Sequence, residues 1–420
     1  MIANRAGVAQ PPFPAPHATT GARIITAASL AGIFLAPYTT WRLIPDTLFT
    51  FSDGLFALAA LLLLSSGRRS IEPFADLTPL WLIALATMLA GLLLGSVVNG
   101  DLGRWLIVAA QYCFAYGLLP VSLSFRTRDN AITAMKALVA GIAAMELFGT
   151  AVYISTGADY TRAQQLGPEF ITGAHRLGAF MADANWNGAM SAMAIPFTLF
   201  LFGSRRISGP VATVALGILG CGVVLSGSFT GFTSAALATF LFTSLATVGR
   251  VTRLVAGIVA AAALALAAGV AMPSTFERRV VGALENRDMA EAGTYTGRME
   301  LIEEAWHIVD RTSIVGLGVD QFRVVSVDEA PVHNLYLLMW AEGGILALTG
   351  WLVMATVPII AATRAFRRDR QAAALCLAVT SVFLTFSLAA PHMYARSWVV
   401  PLLIAMAMLF TREGERRMRA

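Results

Sequence analysis

The sequence predicts an all-α polytopic membrane protein with about twelve transmembrane helices. Of its 420 residues, 57% are hydrophobic and only 13% are charged, whereas a soluble domain carries about 25% charged residues. Uncharged runs recur along the chain, and most of them approach the roughly 20 apolar residues that a helix needs to cross a bilayer. The predicted spans are 24–41, 47–65, 77–98, 105–125, 131–155, 185–203, 207–227, 229–248, 254–272, 335–362, 372–390 and 397–411.

The basic residues orient these helices, because Lys and Arg in short loops stay on the cytoplasmic side. If the N-terminus is cytoplasmic, most of the 30 Lys and Arg residues fall on the same side as the N-terminus. Both termini are therefore predicted to be cytoplasmic. The net charge of +5 and the pI of about 9.4 are interpreted as a consequence of this topology, and no nucleic-acid partner is expected.

The topology divides the chain into five parts. We expect a flexible cytoplasmic tail (1–22), transmembrane helices 1–9 (23–272), a large outer loop (273–334), transmembrane helices 10–12 (335–411) and a basic cytoplasmic tail (412–420). The N-terminal tail is rich in proline and lacks the apolar core of a signal peptide, so no cleavage is expected.

The large outer loop contains the main polar element. Leu301, Ala305 and Val309 recur at helical spacing, which predicts an amphipathic helix whose apolar face lies against the membrane surface. Arg298 falls in the first turn of this helix. Free backbone N–H groups and a guanidinium together attract anions, so the sequence predicts an anion-binding position here.

Ionisable residues inside the spans are scarce. Glu146 is the only acid predicted to lie deep in the bilayer, while Asp53 and Lys136 are expected to reach the interface from the span ends. Ion-coupled transporters need such deep groups, so transport is disfavoured. No Walker-type loop, HExxH motif or DxD pair occurs, and the three cysteines fall inside spans. No cofactor and no metal are therefore expected.

Arginine and histidine cluster in four segments on the outer side. They are HRLGAFMADANWNG with Arg176, TGRMELIEEAWHIVDRTSIVGLG with Arg298, VHNLYLLMWAEGG with His333, and PHMYARSW with Arg396. Over residues 170–350 the sequence resembles the O-antigen ligase and O-antigen polymerase superfamily, most clearly in the order GR, Trp-containing helix, GLG, HNLYL and EGG. In one departure, Phe229 in SGSFTG stands where members often carry arginine, which weakens any role for a basic residue at that turn.

The resemblance implies a GT-C-like, metal-independent glycosyltransferase of the bacterial inner membrane. Its active site would face the periplasm, and membrane lipids would surround it. The donor would be an undecaprenyl-diphosphate-linked glycan. The leading acceptor is a lipid A core sugar, as in O-antigen ligase, and other glycans follow. The alternatives are a polymerase of repeat units, a protein O-oligosaccharyltransferase, and, from another class, a polysaccharide or lipid transporter.

Five residues are the expected site. Arg176 and Arg298 would bind the donor and stabilise the leaving phosphate, because guanidinium stays charged and offers a planar fork. His333 would act as the base, since an imidazole of pKa near 6.5 is largely neutral at pH 7. Asn334 would orient the imidazole or a sugar, and Arg396 would contact phosphate.

Each of these residues also has a purely structural interpretation. Taken alone, His333 would cap a membrane helix at the interface, and the arginines would contact phospholipid headgroups. The roles of Glu146, His175 and His392 stay open: hydrogen-bonded helix packing is the alternative for the acid, and an interfacial position is the alternative for the two histidines.

Overall fold

The computed structural model describes residues 20–44, 49–66, 72–125, 127–166, 170–181, 183–287, 295–391 and 393–411. These residues are almost entirely helical, with one two-stranded sheet, which confirms the predicted all-α polytopic class. The predicted C-terminal tail, nearly all of the predicted N-terminal tail and His392 lie outside the described residues.

The helices follow one another with short connections. Two of these connections are π-helical turns, Cys113–Leu118 and Glu277–Gly282. Strands β1 (Ile171–Thr172) and β2 (Arg176–Leu177) form an antiparallel hairpin. The helices are α1 Thr20–Leu35, α2 Phe51–Ser65, α3 Thr78–Asn99, α4 Leu102–Tyr112, α5 Leu119–Ser122, α6 Arg128–Thr156, α7 Tyr160–Gln164, α8 Ala184–Gly203, α9 Gly209–Ser226, α10 Phe229–Ala246, α11 Gly249–Ala267, α12 Ser274–Phe276, α13 Ala283–Glu285, α14 Tyr295–Thr312, α15 Phe322–Val325, α16 Leu335–Ala365, α17 Arg370–Ser387 and α18 Arg396–Leu409.

Each of the predicted spans overlaps an apolar helical segment. Within the described ranges, eight helices are long and apolar enough to cross a membrane. Helices α1, α2 and α18 are apolar but shorter, and α8 is a further helix of 20 residues. The number twelve stays a prediction. The eight are Ala75–Asn99, Leu102–Ser122, Arg128–Thr156, Gly209–Ser226, Phe229–Ala246, Gly249–Ala267, Leu335–Ala365 and Arg370–Ser387.

Helices α3 and α16 approach each other through glycines. A Cβ atom at Gly91 would lie 2.4 Å from the backbone nitrogen of Ala347, and one at Gly95 would lie 2.5 Å from the carbonyl oxygen of Glu342. Small residues of this kind allow two membrane helices to pack backbone against backbone. The contact fixes α16, and with it the segment that precedes α16.

Helix α16 is broken at Gly344, which has a φ of 65°. The chain after α14 pairs with the backbone around this break. The N–H of Leu317 donates to the carbonyl of Ala341 at 2.9 Å, and the N–H of Ile345 donates to the carbonyl of Ser313 at 3.0 Å. Backbone groups freed inside a membrane helix need such partners. The GLG and EGG segments thus form one packing unit.

The apolar face of α14 packs on α16. Leu301, Ala305 and Val309 are buried with Leu337 and Leu338 in a small core. The prediction that this face rests on the membrane surface is therefore wrong, because the first turns of α16 cover it. Together with the pairing at the helix break, this contact holds the start of α14 beside the start of α16.

Two further acids, Asp53 and Glu342, lie in the interior of the protein, and the depth of Asp53 and Glu146 in the bilayer stays a prediction. Asp53 is fully buried and forms an ion pair with Arg396. This pairing offsets the free-energy cost of burying its charge. Glu342 is 1% exposed and accepts a hydrogen bond of 3.4 Å from the N–H of Phe322. It anchors the chain that follows the GLG turn.

Candidate active site

The C-terminal end of α9 holds the side chain of Arg176. The β-hairpin places Arg176 there, and the residue is only 9% exposed. Its Nε donates to the carbonyl of Ser226 at 2.7 Å, and its Nη2 donates to Oδ1 of Asn185 at 2.7 Å. The last carbonyls of a helix carry the negative end of the helix dipole, so they stabilise a cation.

Gly227 brings a second arginine to the same helix end. This residue ends α9 in the left-handed region, with φ of 53°. A Cβ atom here would lie 3.1 Å from Cγ2 of Thr275 and 3.7 Å from Nε of Arg176, so only glycine leaves room. The Nε of Arg279 donates to the carbonyl of Gly227 at 3.2 Å. The sequence did not single out Arg279.

Arg298 and His333 lie where α14 meets the start of α16. Arg298 is in the first turn of α14, and His333 comes two residues before α16. Neither side chain has a hydrogen bond or ion pair with the residues that the structure describes. Asn334 is the N-cap of α16, because its Oδ1 accepts from the N–H groups of Tyr336 and Leu337 at 3.1 and 3.2 Å.

These groups act on one another electrostatically. The pKa of Arg176 is lowered to about 10, chiefly by burial; the charges of Arg279 and Arg298 contribute to the lowering, and Asp183 opposes it. Burial also lowers the pKa of Arg298, while the negative charge of Asp183 raises it. Arg176 and Arg279 are anchored on the neighbouring carbonyls of Ser226 and Gly227, and Arg298 lies near enough to act on the pKa of both.

His333 belongs to the same group. Burial lowers the pKa of His333 below its ordinary value of 6.5; the positive charge of Arg298 lowers it further, and Asp183 acts in the opposite direction. The imidazole is consequently neutral at pH 7 and able to accept a proton. Arg298 and Asp183 therefore lie near enough to His333 to act on its pKa, and the catalytic roles of Arg176, Arg298 and His333 stay a prediction.

Asp183 is a functional candidate that the sequence analysis missed. Its Oδ1 accepts from the N–H groups of Asn185 and Trp186 at 2.8 and 2.9 Å and so caps α8. It is the carboxylate that acts on the pKa of Arg176, Arg298 and His333. An Asp before an apolar run signals a helix cap, but nothing in that pattern points to a nearby cationic site.

We expect the acid limb of the pH profile of kcat/KM to have its midpoint below pH 6.5, because the base must be neutral and the pKa of His333 is lowered. In Asp183→Asn the carboxylate that raises this pKa is gone, so the midpoint should move to still lower pH. Asn also caps helices well, so the fold should persist. An upward shift measured in the purified variant would contradict this arrangement.

Arg396, an expected site residue, and His175, whose role was open, have partners elsewhere. The Nε and Nη2 of Arg396 donate to the two carboxylate oxygens of Asp53, and its guanidinium lies 5.5 Å from the centre of the Phe114 ring. His175 is in the hairpin turn with φ of 55°, and its Nδ1 lies 2.8 Å from the carbonyl of Ala158. Both interactions hold connecting segments in place.

Glu146 lies beneath the hairpin. It is fully buried, and its carboxylate accepts hydrogen bonds from Ser191 and Asn187. The amide of Asn187 also donates to the carbonyl of Leu177, next to Arg176, at 3.4 Å. Helix packing accounts for these contacts, and they connect the acid to the strand that carries Arg176.

An open cleft of about 1420 Å³, its mouth included, adjoins Arg279. Arg279 and Thr275 line it on one side, and Ala174 of the hairpin turn lines it on another. The Oγ1 of Thr275 donates to the carbonyl of Ala174 at 2.8 Å, which ties the two walls together. The cleft gives a ligand access to the guanidinium of Arg279.

Residues 212–352 match the Wzy_C family model, described as O-antigen ligase. The matched segment is similar to membrane glycosyltransferases of ligase and polymerase type, which confirms the resemblance seen in the sequence. This segment contains Arg279, Arg298 and His333, whereas Arg176 and Asp183 precede it in the hairpin and at the cap of α8. A search of curated proteins found no match.

Proposed function

We propose that the protein transfers a glycan from an undecaprenyl-diphosphate donor to an acceptor hydroxyl at the periplasmic face of the bacterial inner membrane. The observation that carries the proposal is the convergence of Arg176, Arg298 and His333 at one end of the helical bundle. Two cations able to hold phosphate and one neutral base are the groups that such a transfer requires.

The chemistry follows from these groups. The acceptor hydroxyl attacks the anomeric carbon of the donor glycan, and its proton passes to the imidazole of His333. The bond between the anomeric carbon and the phosphate oxygen breaks, and undecaprenyl diphosphate leaves with one more negative charge than it had in the donor. Preorganised donors aimed at that oxygen lower the barrier. Arg176 and Arg298 take this role, so the transfer needs no metal.

The other two expected residues have more limited roles in this mechanism. The Oδ1 of Asn334 caps α16, so its amide nitrogen is the group that would hold a sugar hydroxyl or the imidazole. The Nε and Nη2 of Arg396 donate to the carboxylate of Asp53. In this mechanism Arg396 holds α18 against α2.

The acceptor we favour is a lipid A core sugar, which makes the protein an O-antigen ligase. We expect a deletion strain to accumulate long polysaccharide chains on the lipid carrier and to lack them on lipid A core. The reason is that polymerisation continues when only the final transfer is lost. Gel analysis of extracted carrier-linked glycans and of lipopolysaccharide measures both outcomes.

Other results would redirect the assignment. Single repeat units on the carrier would indicate a polymerase, and normal lipopolysaccharide with loss of protein-linked glycan would indicate an O-oligosaccharyltransferase. Complementation with the wild-type gene is the control. Purified protein in liposomes that moved the lipid-linked glycan across the bilayer without forming a glycosidic bond would contradict the enzymatic proposal altogether.

A further inference from the structure

We propose that Arg279 is a third phosphate-binding guanidinium, which acts with Arg176 and Arg298 on the diphosphate of the donor. This inference rests on the proposed function and names a residue that neither the sequence motifs nor the family match assigns. It starts from the way in which the end of α9 holds two arginines side by side.

Arg176 and Arg279 bind successive carbonyls through the same atom. The Nε of Arg176 donates to Ser226 at 2.7 Å, and the Nε of Arg279 donates to Gly227 at 3.2 Å. Anchoring through Nε fixes the plane of a guanidinium and leaves its terminal nitrogens for another acceptor. One terminal nitrogen of Arg176 is taken by Asn185. Both terminal nitrogens of Arg279 are without a partner among the residues that the structure describes.

The segment that carries Arg279 is held at both sides of the cleft. Thr275 is bound to the carbonyl of Ala174 at 2.8 Å, and the ring of Phe276 packs edge-on against Phe232 of α10 with centroids 5.4 Å apart. The π-helical turn that follows then directs Arg279 toward α9. The side chain is therefore positioned before any ligand arrives, which reduces the entropic cost of binding.

The charges in the group are not balanced. Burial lowers the pKa of Arg279, and the charges of Arg298 and Arg278 lower it further, with no carboxylate acting on it among the described residues. Arg176, Arg279 and Arg298 thus repel one another, and Asp183 is the carboxylate that offsets them. Bringing like charges together costs free energy unless an anion binds.

The number of guanidiniums suits a diphosphate better than a single phosphate. Arg176, Arg279 and Arg298 outnumber Asp183, the carboxylate that acts on this group. A sugar diphospholipid presents two phosphates, so it can accept hydrogen bonds from more of these guanidiniums at once than a phospholipid headgroup with one phosphate can. Arg279 would therefore favour the diphosphate carrier over other membrane phosphates.

The test is lipid binding to the full-length protein in nanodiscs. The probes are undecaprenyl diphosphate and undecaprenyl monophosphate, and the Kd of each is measured for the wild type, Arg279→Gln and Arg278→Gln. We expect Arg279→Gln to weaken diphosphate binding about 10- to 100-fold, the range for a hydrogen-bonded charge, and monophosphate binding much less. Arg278, an exposed neighbour with the same charge, is the matched control and should change both affinities little.

The outcomes separate the inference from the function. If Arg298→Gln weakens diphosphate binding while Arg279→Gln does not, the role of Arg279 is overturned and the proposed function stands. If Arg278→Gln weakens binding as much as Arg279→Gln, general charge explains the effect and the inference fails. If the wild type does not prefer the diphosphate, the proposed donor is wrong as well. Thermal unfolding of each variant shows that the protein is folded in every measurement.

Discussion

The His333→Ala variant is expected to reach the membrane at wild-type abundance and to transfer glycan about 10²- to 10⁴-fold more slowly, the usual contribution of a general base. His333 is partly buried beside Arg298, which keeps it neutral at pH 7. Its side chain forms no hydrogen bond with the described residues, so its removal should disturb the fold little. The measurement is the rate of glycan transfer by purified protein from a lipid-linked donor.

A second histidine of the same loop provides the control for this substitution. His307 lies on the exposed side of α14, nine residues beyond Arg298, and His307→Ala should transfer glycan at the normal rate. Normal transfer by His333→Ala would remove the base from the mechanism, and the residue would then have to be regarded as an interfacial group only.

Arg298→Lys is expected to lower kcat by about two orders of magnitude, because loss of one preorganised donor costs about 10²- to 10³-fold in rate. Lysine keeps the positive charge but has no planar fork to bind phosphate bidentately. The retained charge also keeps the environment of His333 similar, so the effect reports on phosphate contact. Steady-state kinetics with the lipid-linked donor separate kcat from KM.

The matched control is Arg311→Lys at the last turn of the same helix, where the side chain is exposed. It should leave both kinetic constants unchanged. If Arg298→Lys retained full activity, charge alone would suffice, and the bidentate role given to Arg298 would be contradicted.

The helices could be predicted from sequence because a bilayer imposes a simple length and polarity rule on each span. The contacts between residues far apart in the chain could not be predicted in this way. Asp53 was expected at a span end, but its partner could not be identified, because Arg396 comes from the far end of the chain. The apolar face of α14 was assigned to the membrane, since the sequence cannot tell a lipid surface from the side of α16.

The site was predictable where residues stood in an ordered motif and not elsewhere. Arg298 and His333 are fixed by the pairing of the GLG and EGG segments, so the motif reflects packing as much as chemistry. Because Phe229 replaces an arginine, the sequence predicted no basic residue at the turn after α9. In the structure, Arg279 of the following loop donates to that turn. The sequence did not distinguish Arg279 from the many other charged residues of the loop.

A structure of the protein in a lipid nanodisc with undecaprenyl diphosphate bound is the most direct measurement of the central claim. We expect phosphate oxygens within about 3 Å of the guanidiniums of Arg176 and Arg298, the length of a charge-assisted hydrogen bond. His333 should face the position that the anomeric carbon of the donor would occupy. A diphosphate bound at another place, with these guanidiniums turned away from it, would contradict the claim.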